Sequence, residues 1–372
     1  MTNKKVLFIA PRFHTNQFFL TKNLISLGIE VNFLAVYIGG SENHKYLTPI
    51  LSKPSRIVKW YLKKYTAISA EGRKVLRYYN ITSLSQCFKL YRQLKPDIVI
   101  VRNLSFFTSM QHLIIGKLTG RKVYLYTLYG LRQNLSSSKK MAYKFLGMIG
   151  IKHYTSVIGD LAAPIVPNTL YIPMIFEPLI SEKEIAHFRK HNGIKIITVG
   201  KMQQRKNLKE LIQSLYRINF FENTANKLIM ISECISKENR SILKDVEEVI
   251  GQGKFQSQID LKLNAAHDEV FKLLKSSDLF VMPSHNEPAG TSMVEAMACG
   301  LPVICSSSNG AKCYINSGKN GYVFKYTEDF HDLDEKLKMV LQKDKLHAFA
   351  LESLKIIEQS HNIRNFYDKI IT

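Results

Sequence analysis

The sequence predicts two α/β domains, each a parallel sheet covered by helices. Three observations carry that expectation. At 372 residues the chain exceeds a usual single domain. It is 45% hydrophobic, with no low-complexity stretch and no repeat at a fixed period, so two cores can be filled. Short β-branched runs alternate with segments of helical spacing through both halves, the pattern of βα units.

In the first half, strands are expected at residues 6–10, 31–36, 98–101, 123–127, 155–158 and 171–172, with helices in most of the gaps, for example 18–27 and 84–94. Pro173 and Pro178 punctuate residues 173–181. A boundary there gives a first domain over 1–175, a second over 176–350 and a terminal helix over 351–372. The second half offers strands at 194–199, 259–263 and 279–282 and a helix at 267–274. Ligands of open α/β sheets bind outside the carboxyl ends of the strands, so two such sheets facing each other place a cleft between domains.

The most informative segment is SHNEPAGTSMVEAMACGLPVI, residues 284–304. It reads as the end of a strand, a tight loop through Pro288 and Gly290, a helix over 292–298 closed by Gly300 and Pro302, and a next strand at Val303 and Ile304. Glu287 lies on the loop and Glu295 on the helix. A loop feeding a helix N-terminus presents free backbone N–H groups that bind phosphate. Carboxylates on either side of such an anion site are badly placed for the phosphate and well placed for hydroxyl groups flanking it. A nucleoside diphosphate sugar, with ribose, pyrophosphate and hexose in line, has that layout.

The Glu287-x7-Glu295 spacing followed by EAMACGLPVI resembles the donor-site signature of the retaining GT-B glycosyltransferases of the group 1 family, which includes bacterial lipopolysaccharide, capsule and mannosyl-lipid enzymes. The resemblance is good over about residues 194–345 and extends to the first half in layout only. It implies a GT-B fold, two Rossmann-like domains facing across a cleft, with the terminal helix crossing back to the first. It implies that Glu287 contacts the donor hexose, Glu295 the ribose, and the backbone at Ala289, Gly290 and Thr291 the pyrophosphate and sugar. After the strand at 194–199 comes Gly200-Lys201-Met202-Gln203-Gln204-Arg205-Lys206-Asn207. In the family this turn carries a basic pair that neutralises the leaving diphosphate. Lys206 matches the family lysine. The arginine is matched by Arg205 or replaced by Lys201, with Arg205 favoured. Asn207 stands where glycine is usual, and asparagine tolerates left-handed backbone. A further family-like turn is expected at 320–323.

Two departures concern the first half. The loop after the first strand, residues 11–17, has no glycine, and Arg12, His14, Thr15 and Asn16 offer side chains instead. Where relatives carry T-x-H-G, this chain has Thr127-Leu128-Tyr129-Gly130, which puts Tyr129 in place of the histidine. Tyrosine donates a hydrogen bond but is a poor base near neutral pH. Arg132, just beyond, is a candidate contact for an acceptor anion.

The net charge of +22 is uneven. Residues 1–175 hold 25 Lys/Arg against 5 Asp/Glu, and residues 176–372 hold 27 against 25. The first domain therefore attracts an anionic partner, such as a membrane surface, a lipid diphosphate, an acidic glycan or nucleic acid. Residues 53–65 combine five cations with Trp60, Tyr61, Leu62 and Tyr65, as in a helix lying on an anionic bilayer. No run approaches 18 apolar residues, so no transmembrane helix is expected, and residues 1–5 lead straight into a strand, with no signal peptide. Cys87, Cys234, Cys299, Cys305 and Cys313 match no metal spacing and read as reduced thiols.

The expectation is a retaining glycosyltransferase that needs no metal or other cofactor. It takes a UDP- or GDP-sugar as co-substrate and transfers to a saccharide acceptor, lipid-linked or membrane-associated, in cell-surface polysaccharide biosynthesis. It is expected in the cytoplasm, peripheral on the inner face of the cell membrane, with no nucleic acid partner. A non-catalytic sugar-nucleotide-binding partner of another transferase is one alternative. A basic nucleic-acid-binding protein is a second, which leaves Glu287 and Glu295 unexplained.

Overall fold

The structure is a computed structural model that describes residues 4–39, 42–62, 80–130, 136–159, 164–166 and 168–372. Arg132 and the end of the basic segment at 63–65 lie outside the described residues.

The first domain alternates strand and helix: β1 (Lys5–Ala10), α1 (Thr15–Ser26), β2 (Glu30–Ala35), β3 (Ile50–Leu51), α2 (Arg56–Leu62), α3 (Leu84–Leu94), β4 (Ile98–Arg102), α4 (Phe107–Leu118), β5 (Lys122–Thr127), α5 (Ser137–Met148), β6 (Lys152–Thr155) and β7 (Thr169–Tyr171). Its seven strands are parallel, in the order β3-β2-β1-β4-β5-β6-β7. β1 and β4, KVLFIA and IVIVR, are buried apolar runs except for Lys5 and Arg102 at their ends, as strands covered on both faces must be.

The second domain continues α6 (Glu182–Phe188), β8 (Lys195–Lys201), α7 (Leu208–Arg217), β9 (Lys227–Glu233), α8 (Lys237–Gln252), β10 (Ile259–Leu263), α9 (His267–Lys275), β11 (Leu279–Met282), α10 (Thr291–Ala298), β12 (Val303–Ser306), β13 (Gly321–Phe324), α11 (His331–Val340) and α12 (Lys343–Ser360). Its sheet is also parallel, ordered β10-β9-β8-β11-β12-β13. β8 and β11 are the neighbours at which strand order reverses, and both acidic and basic loops leave their carboxyl ends. That is the switch point at which α/β sheets bind ligands.

Three sequence expectations are corrected. The strand expected at 155–158 lies at 152–155, because Thr155 turns the chain: its hydroxyl donates to the Val157 carbonyl at 3.1 Å. His153 made that strand hard to read. It is buried and bridges Thr127 on β5 and Thr169 on β7 at 2.7 and 2.6 Å, so the strand is held by polar side chains as well as apolar ones. The turn expected at 320–323 is mostly strand β13, where Gly321 lets β12 approach: an added Cβ would stand 1.8 Å from the Val303 carbonyl oxygen. The two-residue strand β3 has no counterpart in the sequence pattern.

The terminal helix expected over 351–372 is broken after Ser360. His361 is buried there and its ring Nδ1 lies 2.7 Å from the Met174 carbonyl, while its own carbonyl accepts from Phe176 N–H at 2.9 Å. Asn362 then caps α13 (Ile363–Phe366), and Phe366, Ile370 and Ile371 enter the core of the first domain. Between the domains, Phe19, Val157, Met174 and Phe176 pack with Met293, Met297 and Tyr314 of the second. Among the described residues no helix is long and apolar enough to cross a membrane.

Candidate active site

The site begins with a short 3-10 turn at Gln204–Lys206 after β8. Asn207 follows with φ 50°, the left-handed conformation that asparagine tolerates, and its side-chain amide donates to the Pro283 carbonyl at 2.8 Å. The Arg205 carbonyl accepts from His285 N–H at 2.9 Å. These two bonds tie the basic loop to the acidic one.

The acidic loop is also stitched to the chain after β12. Glu287 forms a parallel bridge with Asn309, with its N–H donating to the Ser308 carbonyl at 3.1 Å and its carbonyl accepting from Gly310 N–H at 2.8 Å. Glu287 is thus fixed before its side chain does anything. Its Oε2 accepts from Lys206 Nζ at 2.6 Å and from Arg205 Nη1 at 2.8 Å. Lys206 is buried, while the Arg205 side chain is 34% exposed. Gly200 leaves room for the lysine: a Cβ there would stand 3.2 Å from Lys206 Cε.

One carboxylate here faces two cations, and the imbalance sets the charges. Burial alone would raise the Glu287 pKa, but Lys206 and Arg205 overcome it and hold the carboxyl at about 2. Burial lowers the Lys206 pKa; Glu287 opposes that, while Arg205 and Lys201 add to it. The cluster carries net positive charge and is short of an anion, which is what a leaving diphosphate supplies.

Gly290 takes φ 55° at the N-terminus of α10, and its N–H points at Glu287 Oε1 from 3.5 Å. Thr291 opens the helix, and Ser292 Oγ donates to the Val199 carbonyl at 3.1 Å, which fixes this N-terminus beside the end of β8. Ala289 is half-buried in the same loop. Glu295 lies one turn further along α10, buried, with no ion pair among the described residues. Burial pushes its carboxyl up to about 7.

The other named residues divide. Lys201 is drawn away from the cluster by Glu233, which it meets at 2.8 Å on the surface. His14 is the N-cap of α1, its N–H donating to Gln17 Oε1 at 3.4 Å, on the carboxyl edge of β1. Tyr129 donates to Asn103 Oδ1 at 3.4 Å, with Lys139 Nζ 5.4 Å from its ring centre.

The loop after β5, which carries Tyr129, is joined to the acidic loop by a contact that sequence reasoning missed. Gly130 and Gly159, in the loops after β5 and β6, meet Gly310 of the second domain, and Gly159 N–H donates to the Gly310 carbonyl at 3.0 Å. A Cβ on Gly310 would stand 2.1 Å from the Pro288 carbonyl oxygen. The signal was the Asn309-Gly310 dipeptide just after a strand, a turn mark one βα unit beyond the acidic motif. Gly310→Ala is therefore expected to shift the loop that holds Glu287. Turnover should fall at least tenfold (about 1.4 kcal/mol in barrier) while circular dichroism stays native.

Residues 180–352 match the family model described as "Glycosyl transferases group 1". The C-terminal domain belongs to the glycosyltransferase group 1 family. Every element of the cluster around Glu287 lies inside that glycosyltransferase domain. Over 327 residues the chain is 25% identical to the UDP-Gal:alpha-D-GlcNAc-diphosphoundecaprenol alpha-1,3-galactosyltransferase of Escherichia coli, covering 78% of each chain. The structure is similar to Anabaena Alr3699/HepE in complex with UDP, with a TM-score of 0.70 at 14% identity over 99% of this chain and 98% of that one. It is similar also to WaaG, a glycosyltransferase involved in lipopolysaccharide biosynthesis, with a TM-score of 0.64 at 15% identity over 98% and 99%. At such identities the likeness shows the fold, and the fold is GT-B.

Glu295 gives this glycosyltransferase domain a pH signature. Its folded pKa of about 7 lies above the ordinary 4.5, so the folded state holds the proton that the unfolded state loses. Stability therefore falls as pH rises from about 4.5 to about 7, by on the order of 3 kcal/mol. Glu295→Gln is expected to melt higher than the parent at pH 8. The resemblance assigns ribose hydroxyls to Glu295, and a carboxylate accepts them best when ionised; on that expectation parent nucleotide affinity should rise as pH passes 7, and the variant should lose that dependence. Thermal melts and titrations at pH 6 and pH 8 check both.

Proposed function

We propose that this chain is a retaining, metal-independent glycosyltransferase that moves a hexose-type sugar from a nucleoside diphosphate sugar. The acceptor is a saccharide that is lipid-linked or membrane-associated, in the assembly of a cell-surface polysaccharide. The observation that carries the reading is the pair of cations, Arg205 and Lys206, converging on Glu287 beside the N-terminus of α10.

The cluster suggests how the chemistry proceeds. The donor diphosphate competes with Glu287 for Lys206 and Arg205, with the Gly290–Ser292 amides as further donors. Glu287, released from one or both cations, then accepts from hexose hydroxyls. As the glycosidic bond breaks, negative charge grows on the diphosphate, where fixed cations act without reorganisation. The same leaving phosphate can take the acceptor proton on the face it vacates, so Tyr129 in place of histidine does not stop a reaction with retention. The two cations already supply the charge that a metal ion would bring to the leaving group.

The E. coli relative is named for a UDP-sugar donor and a lipid diphosphate acceptor, and the Anabaena neighbour carries UDP. These support a UDP-sugar donor and a lipid-linked acceptor here. The basic first domain supports a peripheral place on the cytoplasmic face of an anionic membrane. A non-catalytic nucleotide-binding partner is the second reading, favoured by Tyr129 alone, and it expects donor binding without turnover. Proton NMR of the product formed from UDP-hexoses with membrane lipid extract decides the mechanism. Retained anomeric configuration is expected; inversion contradicts it.

A further inference from the structure

We propose that the outer face of α4 and α5 seats the first domain on an anionic lipid bilayer, with the cleft opening at the edge of the contact. This rests on the reading of a membrane-associated acceptor and gives it a surface.

The two helices follow β4 and β5, neighbours in the sheet, and lie side by side. Lys117 Nζ near the end of α4 donates to the Gly150 carbonyl just beyond α5 at 3.3 Å. Their inner faces are ordinary core: Leu113, Ile115 and Tyr143 are buried against the sheet. Their outer faces are not ordinary surface. Met110, Ile114 and Leu118 form an exposed stripe along α4, and Met141, Phe145 and Met148 form one along α5. Three of these, Leu118 at 75%, Met141 at 72% and Met148 at 71%, are nearly as open as free side chains. Isolated exposed apolar residues need no explanation, but two adjacent stripes of three do.

The charge chooses the occupant. Between Asp97 and Asp160 the sequence has no acid and nine Lys/Arg, among them Lys117, Lys140 and Lys144 on these helices. Lys140 and Lys144 make no ion pair among the described residues. A second copy of the chain joined through a two-fold axis would set this cationic face against itself. An anionic bilayer satisfies both features, taking the apolar side chains among its acyl chains and the lysines at its headgroups.

The face continues beyond the pair. Gln111 on α4 holds both the N–H and the carbonyl of Thr82, and the Ile81 carbonyl accepts from Ser55 N–H just before α2. Exposed Ile57 and Trp60 of α2 extend the patch, so the helix whose sequence suggested a membrane contact lies at its border. The N-termini of α4 and α5 stand at the carboxyl edge of the sheet, where the loop with Tyr129 and Gly130 reaches Gly310. A headgroup-borne saccharide can enter the cleft from there while its lipid stays in the membrane.

The test is co-sedimentation of the full chain with phosphatidylcholine vesicles, with and without phosphatidylglycerol. The expected result is sedimentation with the anionic vesicles only. Ile114→Ser/Leu118→Ser/Met148→Ser should weaken it at least tenfold, and Lys140→Gln/Lys144→Gln by about fivefold per lysine. UDP binding should be unchanged in both, since all five positions lie outside the nucleotide site. The proposal is overturned if the parent ignores anionic vesicles or if the serine variant sediments like the parent. It is also overturned if light scattering finds a dimer that the serine variant dissolves, which makes the face a subunit contact. Failure to sediment with UDP binding intact strikes this surface alone, whereas absent UDP binding strikes the donor-site reading instead.

Discussion

Lys206→Ala is expected to lower kcat by two to three orders of magnitude and to destabilise the second domain as well. The catalytic part follows from the proposed reaction: Lys206 Nζ stands 2.6 Å from Glu287, in the cluster to which the proposal assigns the charge of the leaving diphosphate. Removing one fixed donor from a developing anion costs about 10²- to 10³-fold in rate. The stability part follows from burial. Without Lys206, Glu287 stays buried and keeps only Arg205, whose side chain is 34% exposed and correspondingly screened. Breaking a buried ion pair from one side costs about 3–5 kcal/mol, and the remaining arginine places the expected loss toward the lower end. Urea denaturation alongside steady-state rates of UDP release separates the two effects. Lys206→Arg should recover stability better than rate, because it restores the charge but its longer, planar guanidinium displaces the donor from the place of the ammonium over Gly200.

Glu287→Gln is the second large effect, and it has the opposite pattern. The amide keeps the shape and leaves Lys206 and Arg205 without a charge to neutralise. Free UDP should bind as tightly as in the parent, or up to tenfold tighter (about 1.4 kcal/mol). Turnover of a UDP-sugar should fall at least a hundredfold, since the hexose loses its charged acceptor and meets an amide N–H in its place. A purely structural ion pair predicts that nucleotide binding and turnover decline together as the loop loosens. The acid limb of stability supplies an independent check. Glu287 titrates at about 2 when folded against 4.5 ordinarily, so its stabilisation is present above about pH 4.5 and is lost as pH falls toward 2. That span is roughly 3 kcal/mol, and the glutamine variant should lack it.

Residues whose roles are set locally were the legible ones. Strands β1, β4 and β11 are unbroken or nearly unbroken apolar runs, β10 alternates apolar with charged residues, and α3 is a helix of regular spacing, so sequence placed them within a residue. Glu287 and Arg205-Lys206 sit in loops whose turn residues announce themselves, Pro288 and Gly290 in one and Asn207 in the other, and Glu295 sits on the helix that the first loop opens. What sequence reasoning could not reach depends on partners far along the chain. Lys201 stood behind Arg205 as its alternative on spacing alone, and its partner Glu233, on the neighbouring strand, was not legible. The break after Ser360 is set by the linker carbonyl of Met174, 187 positions away from His361. The three-glycine meeting of Gly130, Gly159 and Gly310 joins two domains through backbone alone, and no side-chain pattern records it. Tyr129 is intermediate: its place in the chain was legible, and its partner Asn103 was not.

The central claim is that the cationic turn and the acidic loop form one nucleoside diphosphate site. The measurement that tests it most directly is isothermal titration of the protein with UDP, GDP and ADP, repeated on Lys206→Ala and Glu295→Ala. The account predicts micromolar binding of one nucleotide, UDP before the others, weakened at least tenfold by each substitution in protein that remains folded. Binding of none of the three, or binding that both substitutions leave untouched, would contradict it.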